Sequence, residues 1–195
     1  ARGPHAPRIV PDPEDERNKV LRITPGHPSR NFIKGTTRGD YRLSFRFRLP
    51  KLTEKPPYPR FYGFLQLRHR EVNGWPKQSG QVLALGVKND DEGLPAPAMT
   101  YITRREGEVE EFRNGGLNRL KKVGELIPLD SAWHTVTITV RGHRQRVSID
   151  GHEVFSGETD VTDGGSLLLG PGWSSWKSGP PHVDVDDLLV RELAQ

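Results

Sequence analysis

Cysteine is absent from the 195 residues. That excludes a disulfide framework, a cysteine zinc ribbon, an iron–sulfur site and a thiol nucleophile together. The redox compartment stays open, because a domain of this size needs no covalent staple. Methionine occurs once, at Met99. No apolar run reaches ~18 residues, so no membrane-spanning helix is read. Helical periodicity is nearly absent as well, and a short turn from Gly115 to Lys122 is its best stretch. The phosphate loop, the dinucleotide glycine motif, the nucleophile elbow and the H-E-x-x-H pair are all missing. The seven histidines are scattered, with no pair at zinc spacing. No targeting segment is visible.

What remains is enough to fold. Leu, Ile, Val and Phe make up about a quarter of the chain, above the ~20% floor for a globular core. Glycine and proline, 21 and 17 residues, make it turn-rich without low complexity. The balance of 29 basic against 25 acidic residues gives a net charge of only +4.

Strand periodicity dominates. Residues 40–49 alternate strictly, with Tyr41, Leu43, Phe45, Phe47 and Leu49 in one phase and Arg42, Ser44, Arg46 and Arg48 in the other. Residues 133–141 repeat the pattern through His134, Val136, Ile138 and Val140. Residues 144–150 follow, and Asp150-Gly151 predicts a hairpin turn into the next strand. Further runs lie at 18–24, 60–70, 80–88, 98–105, 123–128, 165–170 and 182–192, with Gly and Pro clusters between them. This pattern predicts an all-β, antiparallel two-sheet β-sandwich. Residues 1–17 read as a lead-in arm and residues 18–195 as a single β-sandwich domain.

The phase opposite the core holds the candidate chemistry. Arg46 and Arg48 occupy it in one strand. In residues 60–70, Gln66 and Arg68 fall opposite Leu65 and Leu67, and residues 98–105 add Arg104 with Tyr101 in the alternate phase. On a concave sheet these groups would form a trough of planar donors suited to carboxylate or sulfate. On a convex face they would be solvated and paired with Asp and Glu, and phase alone leaves both readings open. The segment GPGWSSWKSGPP places Trp173, Trp176 and Lys177 in a Gly/Pro frame, where indoles either stack on sugar rings or fold back as a lid. Trp133 opens a strand and reads as structural. In HVDVDDLLV, Asp187 shares the phase of Val183 and Val185. An inward carboxylate needs donors or a metal, so Asp187 is a candidate ligand for structural Ca²⁺ with the arm near Asp12 to Glu14, or a hydrogen-bonded group without one. No cofactor is required. No recognition helix or RNP-like strand is evident, so nucleic acid is not the expected partner. No acidic strand offers the carboxylate pair of a glycosidase.

The order GDYRLSFRFRLP, FLQLRHR, VLALGVKND, LDSAWHTVTITV, VSIDGHEVF, SLLLGPGW, VDVDDLLV resembles the concanavalin A-like jelly roll. Within it, the chain is similar to polysaccharide lyases of the heparin lyase I, glucuronan and alginate lyase kind, over roughly residues 10 to 193. Those enzymes carry Gln-x-His on a central strand, where this chain has Gln66-Leu67-Arg68. They also carry a late Tyr-x-Lys-x-Gly-x-Tyr, where this chain has Leu167 to Trp173, keeping the glycine but neither the lysine nor the final tyrosine. The resemblance implies a sugar-binding cleft. β-Elimination would need the uronate carboxylate neutralised and a base near the C5 proton. For a lyase, Tyr101, Gln66 and Arg68 are the catalytic candidates, with Tyr62 as an alternative base.

The expected function is binding of an acidic polysaccharide. Arg46, Arg48, Gln66, Arg68 and Arg104 would hold acid groups, and Trp173, Trp176 and Lys177 would cap the chain. A lyase and a structural or assembly jelly roll are the alternatives. The expected location is extracellular or at the cell surface.

Overall fold

The computed structural model describes residues 7–23, 39–50, 127–158 and 182–194 in full, and the backbone of strands at 33–37, 60–71, 78–89, 95–104 and 165–172. Every regular element among the described residues is a strand. In chain order these are β1 (Arg8–Pro11), β2 (Lys19–Ile23), β3 (Ile33–Thr37), β4 (Tyr41–Arg48), β5 (Arg60–Glu71), β6 (Gln78–Asn89), β7 (Pro95–Arg104), β8 (Ile127–Pro128), β9 (His134–Arg141), β10 (Arg144–Ile149), β11 (His152–Glu158), β12 (Gly165–Gly172) and β13 (Val183–Glu192). The helical stretch expected at 115–122 lies outside the described residues.

Two antiparallel sheets result. One has seven strands in the order β1-β2-β13-β4-β9-β10-β11, the other six in the order β3-β12-β5-β6-β7-β8. The alternation in β4 and β9 does what period two requires. Tyr41, Leu43, Phe45, Phe47, Val136, Ile138 and Val140 are buried, while the intervening residues face outward. Ile23, Leu49, Leu129, Val147, Ile149, Val154, Val183 and Val185 belong to the same core cluster. Each such side chain contributes ~1.5–3 kcal/mol on burial, so the alternating phase locks the register of this sheet. A one-residue slip would bring the arginines of β4 inward.

The Asp150-Gly151 hairpin forms as the sequence predicts. Both residues have positive φ, 52° and 79°, as a two-residue turn between twisted strands demands. The Asp150 carboxylate accepts a hydrogen bond from the Thr135 backbone N–H at 2.7 Å, and its other oxygen meets His134 Nδ1 at 2.7 Å. Part of the expected lead-in arm is structural. Residues 8–11 form β1, the edge strand paired to β2 in register from Arg8↔Arg22 to Pro11↔Lys19.

In the six-stranded sheet, register assigns each residue to a face. Leu65, Leu83, Tyr101 and Leu169 lie in one line across four strands. Gln66 lies in the next line with Leu168, Val82 and Ile102. By alternation the first face also takes Leu85 and Met99, an apolar pattern. The second takes Phe61, Gly63, Gly80, Ala84, Gly86, Ala98, Thr100 and Arg104 with the Gln66 line, a mixed pattern in which small residues lie beside Val82, Ile102 and Leu168.

Candidate functional site

The outward face of the seven-stranded sheet is a ladder of opposed charges. Arg48 on β4 lies opposite Asp184 on β13, and Arg46 opposite Asp186. Asp184 is buried and takes a two-pronged hydrogen bond from Arg22, with Nε at 2.7 Å and Nη2 at 2.9 Å. Arg48 Nη2 stands 3.5 Å from the same carboxylate. Arg48, itself buried, also reaches Asp12 at 3.1 Å and Glu14 at 2.7 Å. Arg46 pairs with Asp186 and Asp187, each at 2.8 Å. The Trp133 ring lies under both guanidinium groups, 5.1 Å from Arg46 and 4.6 Å from Arg48. This is a cation–π stack in which one indole serves two arginines.

Titration follows from these contacts. The backbone N–H of Glu14 and the Arg48 guanidinium hold Asp12 below its ordinary value, against the opposing pull of burial. Burial pushes Asp186 up, but hydrogen bonds from Asn18, the Asp187 N–H and Arg46 bring it below its ordinary value. His182 is lowered, first by burial and then by Arg22 and Arg48, with Asp184 opposing. The hydrogen bonds that Arg22 donates to the Asp184 carboxylate raise its own value.

This arrangement corrects two expectations. Arg46 and Arg48 do not stand beside Gln66 and Arg68, because β4 and β5 belong to different sheets. Nor are their charges left bare, since Asp12, Glu14, Asp184, Asp186 and Asp187 neutralise them. Asp187 does not point inward either. The β13–β4 register shifts between Asp186 and Leu189, and Asp187 sits at that irregularity with φ 51°. The bulge carries its side chain out to 67% exposure, next to Arg46. The carboxylates near the arm are thus matched by guanidinium groups rather than left to gather around a cation. Asp187 pairs with Arg46, and Asp12 and Glu14 pair with Arg48. Among the described residues no three His, Cys, Asp or Glu side chains are grouped to hold a metal.

The remaining candidates divide clearly. Gln66 and Arg68 on β5, and Tyr101 and Arg104 on β7, all belong to the six-stranded sheet. Register puts Gln66 and Arg104 on one face, with the small residues and with Val82, Ile102 and Leu168. Tyr101 and Tyr62 fall on the other, in line with Leu83 and Leu85. Arg68 lies inside a register shift between Leu67 and Arg70. Trp173, Trp176 and Lys177 lie outside the described residues. Sequence reasoning missed a second group of arginines, Arg141, Arg144, Arg146 and Arg191. They share the outward face with Arg42. A phase reading of β9 and β10 would have found Arg141, Arg144 and Arg146, whereas the bulge in β13 leaves Arg191 in the sequence phase of Val183 and Val185.

No protein-family model matches the chain, and no curated protein matches it in sequence. Solved structures do match in shape. An alginate lyase of Pseudomonas aeruginosa superposes with a TM-score of 0.55 at 13% identity, over 99% of this chain and 88% of that one. The fold is a concanavalin A-like jelly roll. A PL7 alginate lyase of Zobellia galactanivorans gives a TM-score of 0.54 at 12% identity, over 90% of this chain and 77% of that one. The carbohydrate-binding module CBM66 of Bacillus subtilis gives 0.51 at 11% identity, over 95% and 92%. The same jelly roll therefore occurs in a lyase and in a binding module. Residues in this chain, not the fold, must decide between them.

Proposed function

We propose that this jelly roll binds an acidic polysaccharide along the face of its six-stranded sheet that carries Gln66 and Arg104. The observation that carries the reading is register. Gln66 and Arg104 share a face with the small residues Gly63, Gly80, Ala84, Gly86 and Ala98, alongside Phe61, Val82, Ile102 and Leu168. Small residues on neighbouring strands leave room for a ligand to approach the backbone closely. An amide and a guanidinium beside that floor supply planar donors for carboxylate or sulfate. Arg68 belongs to the proposed site through its strand, and Trp173, Trp176 and Lys177 would cap the bound chain. Arg46 and Arg48 are not part of it. The carbohydrate-related neighbours support the class of partner, and a polymer of that kind fits an extracellular or cell-surface location. Affinity gels with polyuronates and neutral glycans test the proposal. Retardation by polyuronate that weakens in Gln66→Ala supports it, and no retardation by any polyanion at low salt overturns it.

A lyase acting by β-elimination is the second reading, favoured by the likeness to two alginate lyases over most of the chain. In it Gln66 and Arg68 would neutralise the uronate carboxylate. The base is its weak element, because Tyr101 and Tyr62 share the apolar face rather than the face of Gln66. Incubation with alginate, glucuronan and heparin, followed by the ultraviolet absorbance of the unsaturated product, decides it. Activity that survives Tyr101→Phe and Tyr62→Phe removes tyrosine as the base.

A further inference from the structure

We propose that the seven-stranded sheet carries a second polyanion site of its own, on the outward face of β13, β4, β9, β10 and β11. It would take the carboxylate or sulfate groups of an acidic polysaccharide. The class of partner rests on the reading above, but the site does not.

The cross-strand rows define it. Arg191, Arg42, Thr139, Arg146 and Ser156 lie in one register line across five strands. Arg141, Arg144 and Glu158 form the neighbouring line. All five arginines are exposed. Arg42 and Arg191 stand directly opposite each other, and like charges in that position are destabilising. Counter-charge is scarce here. Arg146 pairs with Glu153, and Arg144 approaches Glu158 only to 3.6 Å, with both side chains largely in water. Arg42, Arg141 and Arg191 have no acidic partner among the described residues. Five guanidinium groups thus meet two carboxylates. At the other end of the same face, Arg22, Arg46 and Arg48 meet five.

Shape and spacing agree with charge. A groove of about 360 Å³ opens between these rows, lined by Thr139, Arg141, Arg144, Arg146, Ser156 and Glu158 among others. Adjacent strands lie ~4.8 Å apart, close to the repeat of a pyranose unit, so acid groups along an extended chain meet successive strands. Thr139 and Ser156 place hydroxyls between the guanidinium groups, where sugar hydroxyls need partners. The lining has no aromatic ring on which the bases of a single strand would stack.

The test uses the whole chain in native gels containing alginate, heparin or neutral dextran, with a single-stranded thymidine oligonucleotide as competitor. The triple variant Arg42→Gln, Arg141→Gln, Arg191→Gln should lose at least about tenfold in affinity for alginate or heparin, with no loss of melting temperature. Lysine at the same three positions should restore most of it. If the triple glutamine variant melts early, Arg141→Gln and Arg191→Gln alone carry the comparison. Affinity that the glutamine substitutions leave unchanged even in a Gln66→Ala, Arg104→Gln background overturns this site. Loss in the glutamine variants with no effect of Gln66→Ala and Arg104→Gln sustains this site and overturns the six-stranded one. Tighter binding of the oligonucleotide than of either polysaccharide also overturns it.

Discussion

Asp184 and Arg48 face each other across β13 and β4, both buried, 3.5 Å apart, with Arg22 gripping the same carboxylate from β2. One carboxylate thereby ties three adjacent strands together. Asp12 and Glu14 close on Arg48 from the segment between β1 and β2, so the ladder also holds the N-terminal hairpin to the sheet.

Asp184→Ala should be the most damaging change in this ladder. It leaves Arg48 buried beside a lost partner and removes both hydrogen bonds of Arg22. Breaking a buried pair in this way costs about 3–5 kcal/mol. Thermal and urea melts should show the loss with an unchanged denaturant slope. A cost below about 1 kcal/mol, the value of an exposed pair, would contradict the buried ladder.

Acid should weaken the same ladder in two separate windows. Asp12 and Asp186 are held below their ordinary value of 3.8 in the folded chain. The stability they add is complete above that value and is lost as pH falls through their folded values. His182 is also lowered, from 6.5, so protonating it favours the unfolded chain. Its contribution is complete above 6.5 and declines as pH falls below that. A plot of melting temperature against pH should therefore bend first below 6.5 and again below 3.8. His182→Gln should remove only the first bend, and Asp12→Asn with Asp186→Asn should flatten the second.

The strand pattern was largely legible because burial enforces period two. β9 follows its alternation throughout and β4 as far as Phe47, with Arg48 buried by its ion pairs, and the Asp150-Gly151 turn is local chemistry. Sheet membership was not legible. Nothing in the alternation of β4 or β5 says which strand each will pair with, and β13, which neutralises Arg46 and Arg48, lies far along the chain. The acidic run at 184–187 reads as a cluster near the end of the chain, yet it is the cross-strand partner of the arginines. Period two also fails across a bulge, so the phase of Val183 and Val185 does not extend to Asp187. β1 and β3 are short, and their pairing depends on neighbours rather than on a pattern of their own.

The hairpin anchor gives a third prediction. Asp150 accepts from the Thr135 N–H and meets His134 Nδ1, joining the β10–β11 turn to the start of β9. Asp150→Ala removes both contacts and places a β-carbon residue without a compensating hydrogen bond at positive φ. The expected loss is about 1–3 kcal/mol. Asp150→Gly relieves the backbone and should recover part of it. Hydrogen exchange at the Thr135 amide should accelerate in both variants.

Asp187 should behave in the opposite way to Asp184, three residues earlier on the same strand. Its side chain is 67% exposed and its pair with Arg46 is worth at most ~1 kcal/mol. Its φ of 51° is a conformation that glycine adopts without cost. Asp187→Gly therefore exchanges a weak ion pair for relief of backbone strain, and melting temperature should change little. Because Arg46 already pairs with the Asp187 carboxylate, any response of melting temperature to added Ca²⁺ or to EDTA should be the same in Asp187→Gly as in the wild-type chain. A calcium-induced rise that vanishes in this variant would restore Asp187 as a ligand and displace Arg46 from its carboxylate.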